Sequence, residues 1–216
     1  HVVRAAGSRG WDAWAADAGG SDGIARSVQV DICDPARVES VIRDLRPDAA
    51  INVAAVADID KAQKDTGTAW RVNVLGAVNV AIACARANIR HVFISTDAVY
   101  DGRNPPYHES DPVCPVNYYG ETKARAEVQV RSACPDVAIT RLSLVVGLAL
   151  RGGNSFLSGL RKKLSAGETV AQPTEEIRTP IDVYTLSECL LELCGTDYSG
   201  LLHLGSTGSI GRLELA

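Results

Sequence analysis

The chain has no methionine and only two phenylalanines, and aromatic residues fill 5% of its 216 positions. Any core must therefore be assembled from aliphatic and small side chains, which the 46% hydrophobic content permits. A chain of this size suits one α/β domain with a small appended lobe. No stretch approaches the ~18 uninterrupted apolar residues of a membrane span. The most apolar run, Ala49 to Ala57, is broken by Asn52 and reads as a buried strand. Basic clusters are lacking too: the net charge is −4 and no Lys/Arg-rich run occurs, which argues against a nucleic-acid partner. Six cysteines are scattered without CxxC or Cys/His metal spacing, so no metal site is expected. They read as reduced packing residues of a cytoplasmic protein, and residues 1–17 lack the apolar segment of a signal peptide.

Strand and helix signals alternate along the chain, the mark of a parallel sheet wrapped by crossover helices. Short strands are expected at Trp11–Asp17 and Ser27–Asp31. Asp34 caps a helix whose first residue is Pro35, where the missing N–H costs nothing. Val38, Val41, Ile42 and Leu45 give that helix one apolar face, and Arg46-Pro47-Asp48 ends it. A strand at 49–56, a long helix from about Thr68 to Asn88 and a strand at 91–95 follow. The proline-rich stretch 101–116 is too punctuated for regular structure. Beyond it the pattern gives a helix from Tyr119, a strand at 137–146, a helix at 182–194 and a strand at 201–204. Gly152-Gly153-Asn154 and Gln172-Pro173 loosen the order after Gly147, as a lobe would.

Chemistry concentrates at Tyr119-Gly-Glu-Thr-Lys123. Residues four apart share a helix face. A phenol with a pKa near ~10 donates protons poorly at neutral pH, and a neighbouring ammonium is expected to draw it down. Tyr119 could then protonate a carbonyl oxygen as hydride reaches its carbon, with Lys123 also holding a nicotinamide ribose. Upstream, a strand ends in Ile94-Ser95-Thr96-Asp97-Ala98-Val99-Tyr100-Asp101-Gly102, placing hydroxyls where α/β sheets keep their ligands. Either hydroxyl could donate to the same oxygen, or simply close a turn.

The run at 95–102 resembles the extended short-chain dehydrogenase/reductases, in particular their dTDP-4-dehydrorhamnose reductase-like branch. Asn104-Pro105-Pro106-Tyr107, Glu109, Pro115, Asn117, the Tyr119–Lys123 segment and Glu127 extend the resemblance. Weaker echoes run from Arg46-Pro47-Asp48 to Arg178-Thr179-Pro180. The resemblance implies a Rossmann-type doubly wound parallel sheet over 1–146 and a substrate lobe over 147–216, with 182–204 partly returning to the sheet. It implies Thr96, Tyr119 and Lys123 as the catalytic triad, and NAD or NADP as cofactor. Asp17 is placed for an adenosine ribose, which leans toward NAD, though a solvated loop aspartate fits equally. Asp31 and Ile32 would border the adenine. Ala54 and Ala55 would let backbone approach the dinucleotide, and Asn73, Ser95 and Ser143 would sit near its nicotinamide end. Arg141-Leu142-Ser143 resembles the family segment beside the nicotinamide. Thr96 and Asp97 would face the substrate, and Arg178 would grip its diphosphate unless it is a plain surface arginine.

The implied activity is reduction of a nucleotide-activated 4-keto-6-deoxysugar, with a homodimer compatible. A nucleotide-sugar epimerase, or a cofactor-binding regulatory subunit like the methionine adenosyltransferase β subunit, carries the same motifs. Ala98, where related dehydratases carry an acid, counts against a dehydratase. The opening His1–Gly7 reads as the tail of a helix, so the first strand and its glycine loop are expected ahead of His1. Gly205-Ser-Thr-Gly208-Ser-Ile-Gly211 mimics such a loop before a helical Arg212–Ala216, but its setting in 200–215 matches the family's C-terminal lobe without needing a phosphate.

Overall fold

The computed structural model describes residues 1–19, 26–150 and 155–215. Gly152-Gly153-Asn154 and Ala216 lie outside the described residues. In chain order the elements are α1 (Val2–Ser8), β1 (Ala15–Asp17), β2 (Ser27–Gln29), α2 (Pro35–Leu45), β3 (Ala49–Asn52) and α3 (Ile59–Lys64). Next come α4 (Thr66–Trp70), a π-helical segment (Arg71–Gly76), α5 (Ala77–Ala87), β4 (Arg90–Thr96) and α6 (Tyr118–Ala133). The remainder is β5 (Ala138–Leu142), β6 (Val145–Val146), α7 (Phe156–Ser165), β7 (Ile177–Arg178), β8 (Ile181–Asp182), α8 (Val183–Cys194), β9 (Gly200–Leu204), β10 (Ile210–Gly211) and α9 (Arg212–Leu215).

A parallel sheet in the order β3-β4-β5-β9 forms the centre, and β1 and β2 form a separate parallel pair. Helices cover both faces of the sheet. On one, Ala77 and Ala81 of α5 and Ala126 and Val130 of α6 close over Phe93 and Ile139. On the other, Leu186 and Leu190 of α8 pack on Val92 and Ala138, and α1 joins that layer through Val2. α2 adds Val38 and Val41 against Val80 and Cys84 of α5. This is the doubly wound α/β architecture that the alternating pattern indicates.

Local chemistry sets the boundaries. The Asp34 side chain accepts from Arg37 N at 3.0 Å, and Arg46 stops α2 in a left-handed conformation with φ 47°. Several strands are shorter than the sequence suggests: 15–17 rather than 11–17, 27–29 rather than 27–31, and 49–52 rather than 49–56. The expected strand 137–146 divides into β5 and β6, because β6 leaves the main sheet to pair with β8. α3 and α7 were not visible as helices in the pattern.

Thr66–Ala87 runs as one helix of 22 residues with a mean hydropathy of 1.3, long and apolar enough by itself to cross a membrane. The helix holds no uninterrupted apolar run of that length, since Arg71, Asn73, Asn79 and Arg86 break it, but its average stays high. Half of the apolar window is buried inside the protein, against β4, α2 and α6. In the Gly205–Gly211 segment a Cβ on Gly205 would lie 2.8 Å from Thr179 O, and β10 pairs antiparallel with β7.

Candidate active site

α6 brings the site together. Asn117 caps it, its side-chain oxygen accepting from Gly120 N at 2.8 Å. Gly120 then lets the first turn press onto the turn after β4, because a Cβ there would meet Ala98 O at 2.2 Å. That close approach sets Tyr119 beside Thr96 and Asp97, both of which act on its phenol.

Thr96 ends β4, and its Oγ1 accepts from Ala98 N at 3.2 Å, which leaves the hydroxyl proton free to donate. Lys123 is buried, with its Nζ donating to Ile94 O at 2.6 Å and standing 4.1 Å from the centre of the Phe93 ring. Burial pulls the Lys123 ammonium down to about 7, and Glu127 partly restores it. Burial holds the Tyr119 phenol above its ordinary value, with the Thr96 hydroxyl lowering it and the Asp97 charge raising it. The expected downward pull of Lys123 on Tyr119 is thus not found: the ammonium is turned onto a strand carbonyl, and desolvation dominates both groups.

The other candidate residues divide into three groups. Asp17 and Asp31 are exposed at the ends of β1 and β2, their carboxylates accepting from Gly19 N at 2.7 Å and Cys33 N at 2.9 Å. Ile32 follows, its carbonyl held by Asn79 Nδ2 at 2.9 Å, and Ala54 N is held by Asn52 Oδ1 at 3.1 Å. Ala55 lies in the same stretch, and Ser143 N donates to Leu204 O at 3.1 Å past the end of β5. These all lie at or just beyond the carboxyl ends of their strands.

Asn73 and Ser95 face the interior instead. Asn73, in the π-helical segment, accepts from Val56 N at 2.7 Å and donates to Val56 O at 3.2 Å and Thr122 Oγ1 at 2.9 Å. Thr122 Oγ1 in turn donates to Tyr119 O at 2.7 Å. Asn73 is fully buried, and its amide ties the 54–56 stretch to the start of α6. Ser95 Oγ donates to Glu127 Oε1 at 2.5 Å, because strand alternation turns it opposite to Thr96. Its hydroxyl is committed to the core. Arg141, expected beside the nicotinamide, likewise turns to Glu127.

The expected substrate residues meet each other. Arg178 Nη2 donates to both Asp97 carboxylate oxygens at 2.8 and 2.7 Å, and its Nη1 to Glu176 Oε1 at 3.0 Å. Arg178 thereby joins β7 to the turn after Thr96. Among the described residues no group of three or more His, Cys, Asp or Glu could hold a metal ion.

A parallel sheet wound on both faces, with Thr96, Tyr119 and Lys123 near the carboxyl end of one inner strand, is a Rossmann-like α/β fold. Within it, the family model of the RmlD substrate binding domain matches residues 1–216, and the chain belongs to that family. The dTDP-4-dehydrorhamnose reductase of Mycobacterium tuberculosis is 33% identical over 196 residues, covering 88% of this chain and 63% of the relative. The probable low-salt glycan biosynthesis reductase Agl14 of Haloferax volcanii is 34% identical over 187 residues, covering 84% of this chain and 62% of the relative. The crystal structure of dTDP-4-dehydrorhamnose reductase from Bacillus anthracis in complex with NADP superposes with a TM-score of 0.81 at 30% identity, covering 88% of this chain and 68% of that one. The chain spans a little over three fifths of the length of the curated relatives it matches.

Proposed function

We propose that this chain forms the catalytic body of an NAD(P)H-dependent reductase of a nucleotide-activated 4-keto-6-deoxysugar, like the dTDP-4-dehydrorhamnose reductases among its relatives. The reading rests on one observation above all: Thr96, Tyr119 and Lys123 gather at the carboxyl end of β4, where α/β sheets bind ligands. Residues 1–146 would carry the cofactor and most of 147–216 the sugar, although α8 and β9 pack on the main sheet.

The residues present suit a dinucleotide. Asn52, the last residue of β3, keeps a buried side-chain nitrogen without a partner at that edge. Ala54, Ala55 and Ser143 offer small side chains and backbone nearby, and Asp17 and Asp31 offer exposed carboxylates suited to adenosine hydroxyls. A carboxylate at Asp17 repels a 2′-phosphate, so NAD is favoured over NADP on that residue. When bound, the nicotinamide supplies hydride.

Tyr119 supplies the proton. Its raised pKa keeps the phenol protonated through neutral pH, so it is loaded before the ketone arrives. Thr96 donates its free hydroxyl proton to the same ketone oxygen, steadying the charge that develops there. Lys123, poised near neutrality on Ile94 O, is the residue that would hold the nicotinamide ribose. The test is NAD(P)H oxidation by a dTDP-4-keto-6-deoxysugar. We expect Tyr119→Phe to cut turnover by roughly 10²–10⁴-fold while cofactor still binds. Cofactor binding by the unaltered chain without any turnover would replace this reading with a regulatory one.

A further inference from the structure

We propose that Glu127 is a positioning residue for proton transfer, set one helical turn from Lys123 and fixed there by a polar rung that crosses three strands of the sheet. The inference rests on the reading of Lys123 as the catalytic amine. Tyr119, Lys123 and Glu127 follow one another at four-residue steps on α6 and share one stripe. Ser95, Arg141 and His203 are direct register partners on β4, β5 and β9. Their side chains join into one chain of bonds beneath that stripe.

Glu127 stands at its centre, 6% exposed. It accepts from Ser95 Oγ at 2.5 Å, from Arg141 Nε at 3.0 Å and from Arg141 Nη2 at 2.7 Å. Arg141 Nη1 donates to the Tyr100 hydroxyl, which donates to His108 O at 3.0 Å and meets His203 Nε2 at 2.8 Å. Glu109 closes the far end by accepting from His203 N at 2.9 Å. Apolar residues would fill such a rung at less cost, since a buried ion pair is a poor source of stability. Its place, one residue below Thr96 and one helical turn beyond Lys123, gives it another use.

Among the groups around Lys123, Glu127 is the one whose charge acts on the amine. Arg141, from β5, is engaged by Glu127 and Tyr100. Asp97, from the turn after β4, acts on Tyr119. Asn73, from the π-helical segment, is neutral and bonded to Val56 and Thr122. A buried ammonium over an aromatic ring, with a single carbonyl acceptor, would otherwise shed its proton more readily.

The test follows Lys123 directly. With five lysines in the chain, the ¹³Cε resonance of Lys123 is identified by its loss in Lys123→Met and titrated by NMR. Because Glu127→Gln alone strands a buried guanidinium, the paired variant Glu127→Gln, Arg141→Met is measured beside it, with circular dichroism verifying the fold. We expect the Lys123 midpoint to drop by about one pH unit in the paired variant, and turnover near pH 8 to fall about tenfold as the basic limb of the pH–rate profile moves with it. A midpoint and profile that coincide with those of the unaltered protein would overturn the proposal. Full turnover in Lys123→Met would instead sink the reductase reading, and the NMR midpoint would still decide what Glu127 does.

Discussion

The two ends of β4 bury polar side chains under opposite rules. At its amino end, His91 is 1% exposed, and neither ring nitrogen has a partner. Burial pulls it down to about 4, so the ring is neutral packing next to Phe93. At its carboxyl end, Ser95 and Thr96 are bonded, and the buried Lys123 ammonium reaches back to the same strand at Ile94 O. One end tolerates a polar group by denying it charge. The other surrounds ionisable groups with partners and holds one of them near its titration point, as a site for proton chemistry requires.

Lys123→Met should sharpen that contrast most. With a folded pKa of about 7 against 10.5, the unfolded chain holds more protons between those values. Lys123 therefore makes stability rise with pH across that window, and its full cost is felt at and below pH 7. The variant should gain up to roughly 4 kcal/mol at pH 7, with the gain fading toward pH 10.5, while turnover collapses. Urea unfolding measured at several pH values reads it; equal stability of the two proteins at pH 7 would show that Lys123 is not held at a cost.

His91→Leu should act at the other end and at lower pH. The folded value of about 4 lies under the ordinary 6.5, so the unfolded state again binds the extra proton, now between pH 6.5 and 4. His91 leaves stability untouched above pH 6.5 and removes about 3 kcal/mol as the pH falls to 4. Carboxylates add their own acid sensitivity, so the check is the difference between wild-type and variant curves. That difference should open below pH 6.5, with turnover at pH 7 unchanged. Parallel curves would mean the ring finds a partner in solution.

Gly120→Ala tests the backbone contact behind the carboxyl-end site. The added methyl would collide with Ala98 O, so α6 must lift from the turn after β4. Overpacking of this kind costs roughly 2 kcal/mol, and the displaced Tyr119 should lose at least about tenfold in turnover. Thermal unfolding together with steady-state kinetics checks both, and normal turnover at a reduced melting temperature would detach the glycine from the chemistry.

How much of this was legible follows the same divide. The sheet, its helices and the stretch 95–127 could be read because periodicity, caps and the Tyr119–Lys123 spacing are local. The partners of Asn73, Ser95 and Arg178 could not be read because each lies far along the chain: Thr122, Glu127 and Asp97. Glu127 was visible in the resemblance, but its function was not. Its four-residue step from Lys123 was the available signal, and the other half of the rung lies on β5 and β9, which only the folded register brings together. The direction of the Tyr119 shift was missed for a related reason, since helical spacing says nothing about how deeply both groups are desolvated.

The smallest effect is expected at Arg178, outside the contrast at β4 but fastened to it. Its pair with Asp97 is partly exposed, with side-chain exposures of 25% and 33%. Exposed pairs of this kind contribute little and are screened by salt. Arg178→Gln should therefore lower stability by less than about 1 kcal/mol, a difference that shrinks in molar salt. If Arg178 is a strut between β7 and the turn after Thr96, the KM for a nucleotide sugar should change by less than about threefold, and kcat should carry what loss there is. If it grips a diphosphate, losing a charge-assisted contact should raise KM by about tenfold or more and leave kcat alone. Steady-state kinetics at low and high ionic strength separates the two, and the second pattern would return Arg178 to the substrate and leave Asp97 to be steadied by something else.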